Sequence, residues 1–450
     1  MLGYFITVIY LLTTVNQGLC DDGYFWHVTD FHYDPTYETT SLSCKESKVG
    51  DQIGTFGDMW CDSPWILIES CVQAMKKFKR NVDFVLWTGD TILHADVEKI
   101  NHTFNAVILD NTTDVLKAAF PDIPVYATFG NHDAYPTGQF PPNNTLLYNE
   151  SLARWRSWIN DDTQDEDFRN GGFYTVKTSY GIRIVALNTN FYYTPNKLVS
   201  PEGDPAGQFA WLTETLGNAT DQNEKVIVTA HISPGVTPKP DIPFFSDQND
   251  KLVEILRQFA DIIVAMHFGH EHADAFKVLK NTAGVPTAPL FLAPSIAPLR
   301  FGPMHNPGVR LVKYDRITGK HIDISQYYLD LNAANRAGVA DWKLEYTASD
   351  AYNIQDLTAS SLTALIDRME DSDSTEFKTY RKFYYVSPPE NLTEDCDWKC
   401  HAVIFCGFTE FNLDDVKKCE KKMVSEAIRM TSWKYLYGFL VFVLVTYIHT

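Results

Sequence analysis

Five short apolar runs in this chain each end on a side chain that can hold a metal ion. The first gives Asp30-Phe-His32, the second Gly89-Asp90, and the third Gly130-Asn131-His132-Asp133. The fourth gives His231 and the fifth Gly269-His270-Glu271-His272. The runs themselves, Tyr24 to Val28, Val82 to Trp87, Val125 to Phe129, Val226 to Thr229 and Ile262 to His267, are rich in β-branched and aromatic residues, the pattern of buried strands. In an α/β sheet the carboxyl ends of parallel strands share one edge, so residues as far apart as Asp30 and His272 would converge there.

Further runs at Arg183 to Leu187, Leu290 to Ala293, Val309 to Tyr314 and Ile322 to Tyr328 add strands, and the segment through Trp342 is expected to close an edge. Helix-like stretches lie between them at Ser63 to Lys79, Asn149 to Trp158, Gln208 to Leu216 and Asn249 to Phe259. The alternation predicts an α/β fold. From Thr347 the texture changes to polar helical segments with clustered cysteines, which predicts a small disulfide-stapled helical subdomain.

Any one block is weak, because a lone Asp-x-His or a histidine after a strand is more often a satisfied turn residue. Together they meet a specific need. Two metal ions about 4 Å apart require a bridging carboxylate and terminal ligands that leave positions open for water and phosphate oxygens. Asp90 is the natural bridge. Asp30, His32 and one histidine of the Gly-His-Glu-His run would complete one shell; Asn131, His231 and the other histidine would complete the second. The glycines beside these ligands are expected to let the backbone turn sharply where each strand ends. Imidazole-rich shells suit zinc, iron or manganese better than magnesium, and zinc is the expectation.

The formal net charge of −19 argues against nucleic-acid polymers and anionic membrane surfaces as partners, since a phosphate backbone needs a basic face. Residues Met1 to Cys20 have the pattern of a secretory signal peptide, apolar through Tyr4 to Val15 and ending in Gly18-Leu19-Cys20. Sequons at Asn101, Asn111, Asn143, Asn149, Asn218 and Asn391 agree with a lumenal route. Cysteines there should be oxidised. Cys44 and Cys61 are expected to pair, and Cys396, Cys400, Cys406 and Cys419 to form disulfides rather than a zinc ribbon. Cys71, on an apolar helical face, is left as a buried thiol. The apolar run Tyr435 to Ile448 is short for a bilayer helix, and small residues near Ser425 followed by a polar spacer suit a glycosylphosphatidylinositol signal. The expected organisation is therefore a signal over 1–20, a catalytic domain over 21–346, the helical subdomain over 347–424, and a hydrophobic tail over 425–450 serving as a lipid-anchor signal or membrane anchor.

With its D-x-H, G-D, G-N-H-D, H and G-H-x-H blocks, the chain resembles the calcineurin-like metallophosphoesterases. Within that superfamily the phrases Phe25-Trp-His-Val-Thr-Asp-Phe-His-Tyr-Asp-Pro35, Leu86-Trp-Thr-Gly-Asp90 and Asn188-Thr-Asn-Phe-Tyr-Tyr193 are similar to the acid sphingomyelinase-like phosphodiesterases. The resemblance runs from about residue 24 to about 420. It implies a β-sandwich flanked by helices, with Asp30, His32, Asp90 and His272 on one zinc and Asp90, Asn131, His231 and His270 on the other. It also implies that His132 contacts the phosphate, that His94 donates a proton to the leaving group, and that a water activated by the metals attacks phosphorus. Asp133 is expected to orient its neighbours rather than bind metal. The remaining histidines are expected to be structural or exposed, with His267 and His305 nearest the site segments. Phe191-Tyr-Tyr193 would either line a substrate wall or pack.

Purple acid phosphatases place a tyrosine soon after the Gly-Asp block, where this chain has Thr91-Ile-Leu-His94. The Gly-Asp-x-Val-Asp-Arg-Gly of protein serine/threonine phosphatases is absent. The first catalytic strand follows the signal directly, so the saposin-like domain of a true acid sphingomyelinase is not expected. The resemblance therefore implies a monomeric enzyme, secreted, surface-anchored or lysosomal, cleaving phosphodiesters or phosphoanhydrides of small nucleotides and phosphocholine esters. Sphingomyelin in a membrane is the alternative substrate. A non-catalytic binding platform is the alternative class, disfavoured because all five blocks keep their metal-capable residues.

Overall fold

Strands whose two faces are both covered read as unbroken apolar runs, and two such groups form the centre of this molecule. A computed structural model describes residues 21–39, 41–44, 53–236, 243–298, 304–388 and 396–425. The signal-like segment, the apolar tail and the Asn391 sequon lie outside the described residues.

The strands are β1 (Asp22–Val28), β2 (Phe84–Trp87), β3 (Val125–Ala127), β4 (Tyr174–Lys177), β5 (Ile182–Ala186), β6 (Lys225–Thr229), β7 (Ile263–Phe268), β8 (Ala275–Lys280), β9 (Pro286–Leu292), β10 (Gly308–Asp315), β11 (His321–Tyr328) and β12 (Lys343–Thr347). They form two six-stranded sheets, one ordered β12-β11-β10-β1-β2-β3 and the other β4-β5-β6-β7-β9-β8. β1, β2 and β3 are parallel in the first; β5, β6, β7 and β9 are parallel in the second. This is the α/β arrangement of the sequence reading, with the expected closing edge formed by β12, just after Trp342.

Helices among the described residues include α1 (Trp65–Phe78), α2 (His102–Ala119), α3 (Leu146–Ile159), α4 (Asp165–Gly171), α5 (Gln208–Asp221), α6 (Ser246–Gln258), α7 (Leu331–Ala337), α8 (Ala348–Tyr352), α9 (Ala359–Arg368), α10 (Thr375–Tyr384) and α11 (Trp398–Gly407). α2 is absent from the sequence reading: its Asn, Thr and β-branched content is poor for a helix, and burial of Ile108, Leu109 and Leu116 on one face carries it. One hydrophobic cluster joins both sheets and continues into Leu362, Tyr380 and Phe408. Trp26 and Trp87 are fully buried in it, each contributing about 3 kcal/mol.

Cys44 pairs with Cys61, Cys396 with Cys400 and Cys406 with Cys419, which excludes the zinc-ribbon alternative. Cys71 is a buried free thiol on α1, and burial pushes it well above the ordinary thiol range.

Candidate active site

The carboxyl ends of β1, β2 and β3 face those of β6 and β7, and backbone hydrogen bonds tie the segments that follow these strands to one another. Asp30 N–H donates to the Gly89 carbonyl at 2.9 Å and His32 N–H to the Asp90 carbonyl at 3.1 Å. Gly269 N–H donates to the His231 carbonyl at 2.9 Å, and Ala297 N–H to the Asp30 carbonyl at 3.0 Å. These bonds hold an unusual backbone. Asp30, His32, Asp90, His270 and His272 all have positive φ, between 40° and 72°. Each such non-glycine residue costs about 1 kcal/mol or more, and conformations of this kind gather at functional sites.

The strain aims side chains at one point. Asp30, His32 and His272 place ligand atoms within reach of one ion, and Asp90, His231 and His270 within reach of another. His32 Nε2 lies 3.5 Å and His231 Nε2 3.1 Å from the same oxygen of Asp90, which therefore stands between the two groups. Asn131 Oδ1 is 3.2 Å from His231 Nε2. Nδ1 of His32 donates to the Ile92 carbonyl at 2.8 Å and Nδ1 of His231 to the Thr88 carbonyl at 2.6 Å. Those bonds assign the proton to Nδ1 and turn the Nε2 lone pairs inward.

That arrangement tests whether a cation fits. The lone pair of His231 faces Asp90 Oδ2 and Asn131 Oδ1, so acceptor meets acceptor unless a proton or metal ion lies between. Burial opposes charge on His231, yet Asp90 and its hydrogen bond raise the imidazole to about 9. Burial would likewise raise Asp90 and Asp30, but facing imidazoles, His231 for the first and His272 for the second, pull both well below the usual carboxylate range. Burial followed by the His231 charge drops His270 to about 3. Two carboxylates, four imidazoles and one amide oxygen around a shared oxygen fit two divalent ions.

Asp133 accepts the N–H groups of Asp90, Thr91 and Gly130 and turns away from the ligand cluster, the expected orienting role. The glycines act differently from the expectation. Only Gly89 has positive φ, at 87°. A Cβ on Gly130 would meet Asp90 Oδ1 at 2.1 Å, and one on Gly269 would meet Thr29 Oγ1 at 2.1 Å. Close approach of backbone to ligand carboxylates, rather than a turn, is what Gly130 and Gly269 permit.

His94 and His132 flank the cluster. The His94 ring stacks on His32 with centroids 4.0 Å apart and lies 4.2 Å from His132. Behind His94 is Asp62, missed in the sequence: Oδ1 is 2.9 Å from His94 Nδ1 and Oδ2 accepts His94 N–H at 2.5 Å. Asp62 is fully buried, next to Cys61, and its own N–H donates to Ser43 Oγ at 3.1 Å. Burial would lower His94, but the Asp62 charge and hydrogen bond raise it; His132, without such a partner, is held well below its ordinary value by burial and by His94. A polar groove of about 410 Å³ opens here between Ser43, His94, Asp96, Lys99 and His132.

In the Phe191-Tyr-Tyr193 run the alternatives separate by residue. Phe191 and Tyr192 are fully buried, Tyr192 stacking on Phe209 at 4.6 Å, and they pack. Tyr193 is half-buried with its ring 5.5 Å from His270, and it borders the site. His267 belongs to a separate inter-sheet group, and His305 is buried behind His272 with rings 6.2 Å apart.

Residues 23–274 match the calcineurin-like phosphoesterase family, and residues 285–426 match the acid sphingomyelin phosphodiesterase C-terminal region. The chain belongs to the calcineurin-like phosphoesterases. Among its relatives, the cyclic GMP-AMP phosphodiesterase SMPDL3A of Bos taurus is 38% identical over 88% of this chain and 90% of its own length. The human acid sphingomyelinase-like phosphodiesterase 3b is 33% identical over 91% and 93%. The sphingomyelinase phosphodiesterase C of Dictyostelium discoideum is 33% identical over 92% and 96%. This calcineurin-like phosphoesterase is thus a phosphodiester hydrolase of the acid sphingomyelinase-like type, with buried His and Asp groups able to bind metal. No helix among its described residues is long and apolar enough to cross a membrane.

Proposed function

We propose that the chain is a dinuclear zinc phosphodiesterase acting on small phosphodiesters and phosphoanhydrides, nucleotides first among them. The observation that carries this reading is the single Asp90 oxygen shared by His32 and His231, one from each ligand group. Asp30, His32, Asp90 and His272 would hold one ion and Asp90, Asn131, His231 and His270 the other. Bound there, the ions supply Lewis-acid polarisation of the phosphoryl oxygens and activation of a water nucleophile.

The chain's own groups do the rest. His132, neutral at its depressed pKa, donates a hydrogen bond to a phosphoryl oxygen. His94, kept protonated by Asp62, delivers a proton to the leaving oxygen, which otherwise departs as a costly alkoxide. Asp62 is a positioning residue: it fixes the ring and the Nδ1 proton of His94. The leaving group occupies the groove between His94 and Lys99, whose polar lining suits a nucleoside or phosphocholine fragment better than a lipid.

The relatives named for cyclic GMP-AMP bring a nucleotide diester into the same class. The three disulfides and the apolar tail favour a secreted or membrane-attached protein. The test is hydrolysis of cyclic GMP-AMP, CDP-choline, ATP and sphingomyelin vesicles with and without chelator. Chelator-sensitive cleavage of the soluble substrates is expected; cleavage of sphingomyelin alone would move the reading to a lipid enzyme, and no cleavage of any would move it to a binding platform.

A further inference from the structure

The Asn188-Thr189-Asn190-Phe191-Tyr192-Tyr193 phrase supplies none of the candidate ligands, yet it touches three of the segments that do. It follows β5, and Asn188, Thr189 and Asn190 are fully buried. Asn190 Nδ2 donates to the Phe129 carbonyl at 2.8 Å, two positions before Asn131. Thr189 Oγ1 accepts the Ile232 N–H at 3.0 Å, one position after His231. The Tyr193 ring stands edge-on to His270 with centroids 5.5 Å apart. Asn131, His231 and His270 are the three residues assigned to one ion besides the shared Asp90.

The phrase is itself firmly anchored. Asn188 Nδ2 donates to the Gly171 carbonyl at 2.9 Å and its N–H to Gln208 Oε1 at 2.8 Å, while Gln208 Nε2 donates back to the Asn188 carbonyl and to the Tyr192 hydroxyl. Further on, buried Asn196 donates to the carbonyls of Asn190 and Phe140 and accepts Phe140 N–H. Gln139 donates to the Pro195 carbonyl and accepts Lys197 N–H. Gly138 N–H donates to the Asn131 carbonyl at 2.8 Å, so the loop carrying Asn131 is held at both ends. The other shell is fixed from elsewhere: Thr29 Oγ1 donates to Asp30 Oδ2 at 2.6 Å, and His32 Nδ1 to the Ile92 carbonyl.

We propose that residues 188–196 are a positioning brace for one ion only, the one held by Asn131, His231 and His270, and set its affinity separately from that of its neighbour. Thr189 and Asn190 act through backbone beside a ligand, fixing where each ligand side chain begins. A metal shell tolerates little error in such placement, and loss of a group behind a ligand costs about ten- to a hundredfold in metal affinity. The inference rests on the dinuclear reading above and deepens it by making the two sites inequivalent.

The test is equilibrium dialysis of the metal-stripped full chain against buffered zinc. His272→Ala isolates the Asn131 site and His231→Ala isolates the other. In the His272→Ala background, Thr189→Val keeps the shape but removes the acceptor for Ile232 N–H; it should weaken the remaining ion about thirtyfold, and Thr189→Ser should restore it. In the His231→Ala background the same change should shift the remaining ion less than about twofold. Gln139→Ala, on the half-buried rim, should give the same one-sided pattern at about threefold, and it asks nothing of the core. Equal shifts in the two backgrounds, or none with His272→Ala, overturn the inference while the parent still takes up two zinc ions. A parent that takes up no second ion overturns the proposed function, and the inference with it.

Discussion

His27 and His267 lie three positions before Asp30 and His270 on β1 and β7, and the two levels of these strands have opposite electrostatics. At the strand ends the imidazoles face carboxylates, and the groups push one another apart in pKa: His231 rises to about 9 while His270 falls to about 3. One level deeper, His27, His267 and His321 meet between the sheets, where their ring hydrogen bonds go to Thr88, to one another and to the Gly319 carbonyl, and a carboxylate, Asp30, reaches only His27 and only through its charge. His267 Nε2 and His321 Nε2 are 2.8 Å apart, His27 Nε2 bonds Thr88 Oγ1 at 3.0 Å, and Phe291 lies parallel to His321. Burial lowers all three, with Arg310 adding to the effect on His27 and His267. The same side chain is a metal-capable ligand where the strand has just ended and a neutral core residue where it has not.

The sharpest way to break this contrast is to remove the shared carboxylate. Asp90→Asn should lower turnover about ten-thousandfold with loss of bound metal, whereas His321→Gln should leave turnover within about twofold. Similar losses from both would abolish the distinction. Asp62→Asn tests the next effect: about a hundredfold loss on alkoxide leaving groups, little on p-nitrophenolate, with metal content unchanged. Equal losses on both leaving groups would place Asp62 in the scaffold only.

Stability against pH separates the levels again. A buried histidine with lowered pKa stays neutral in the folded state while the unfolded chain takes up a proton near pH 6.5, so its contribution is complete above that pH and lost as pH falls. His321, pushed down to about 4, contributes about 3 kcal/mol that disappears between pH 6.5 and 4. His231 runs the other way in metal-stripped protein: its pairing with Asp90 stabilises below pH 6.5 and fades as pH rises through about 9. Melting curves of stripped protein should show a smaller acid-side loss in His321→Gln; an unchanged loss would contradict the role given to the inter-sheet group. The smallest effect is at Cys71, where Cys71→Ala should cost about 1 kcal/mol in melting and nothing in turnover.

The strand-and-ligand scheme was legible because its signals are local: an apolar run, then a ligand residue. Asp62 was not, since the pairing with His94 is made across the chain and the only local trace was its place after Cys61. The inter-sheet histidines are structural, one of the two roles expected of them, but their meeting between the sheets was not legible, because His27 and His267 are spaced like any inward strand residue. α2 was lost to composition, and Gly130 and Gly269 were assigned turning roles because only the packed structure has Asp90 and Thr29 against them.

The central claim is that these side chains hold two ions bridged by Asp90. Its most direct test is the metal content of the purified full chain by inductively coupled plasma mass spectrometry, before and after chelation and after readdition of zinc. About two zinc per chain, lost together with phosphodiesterase activity and restored together, is the predicted result. Full activity in protein stripped below about one ion per ten chains would contradict it.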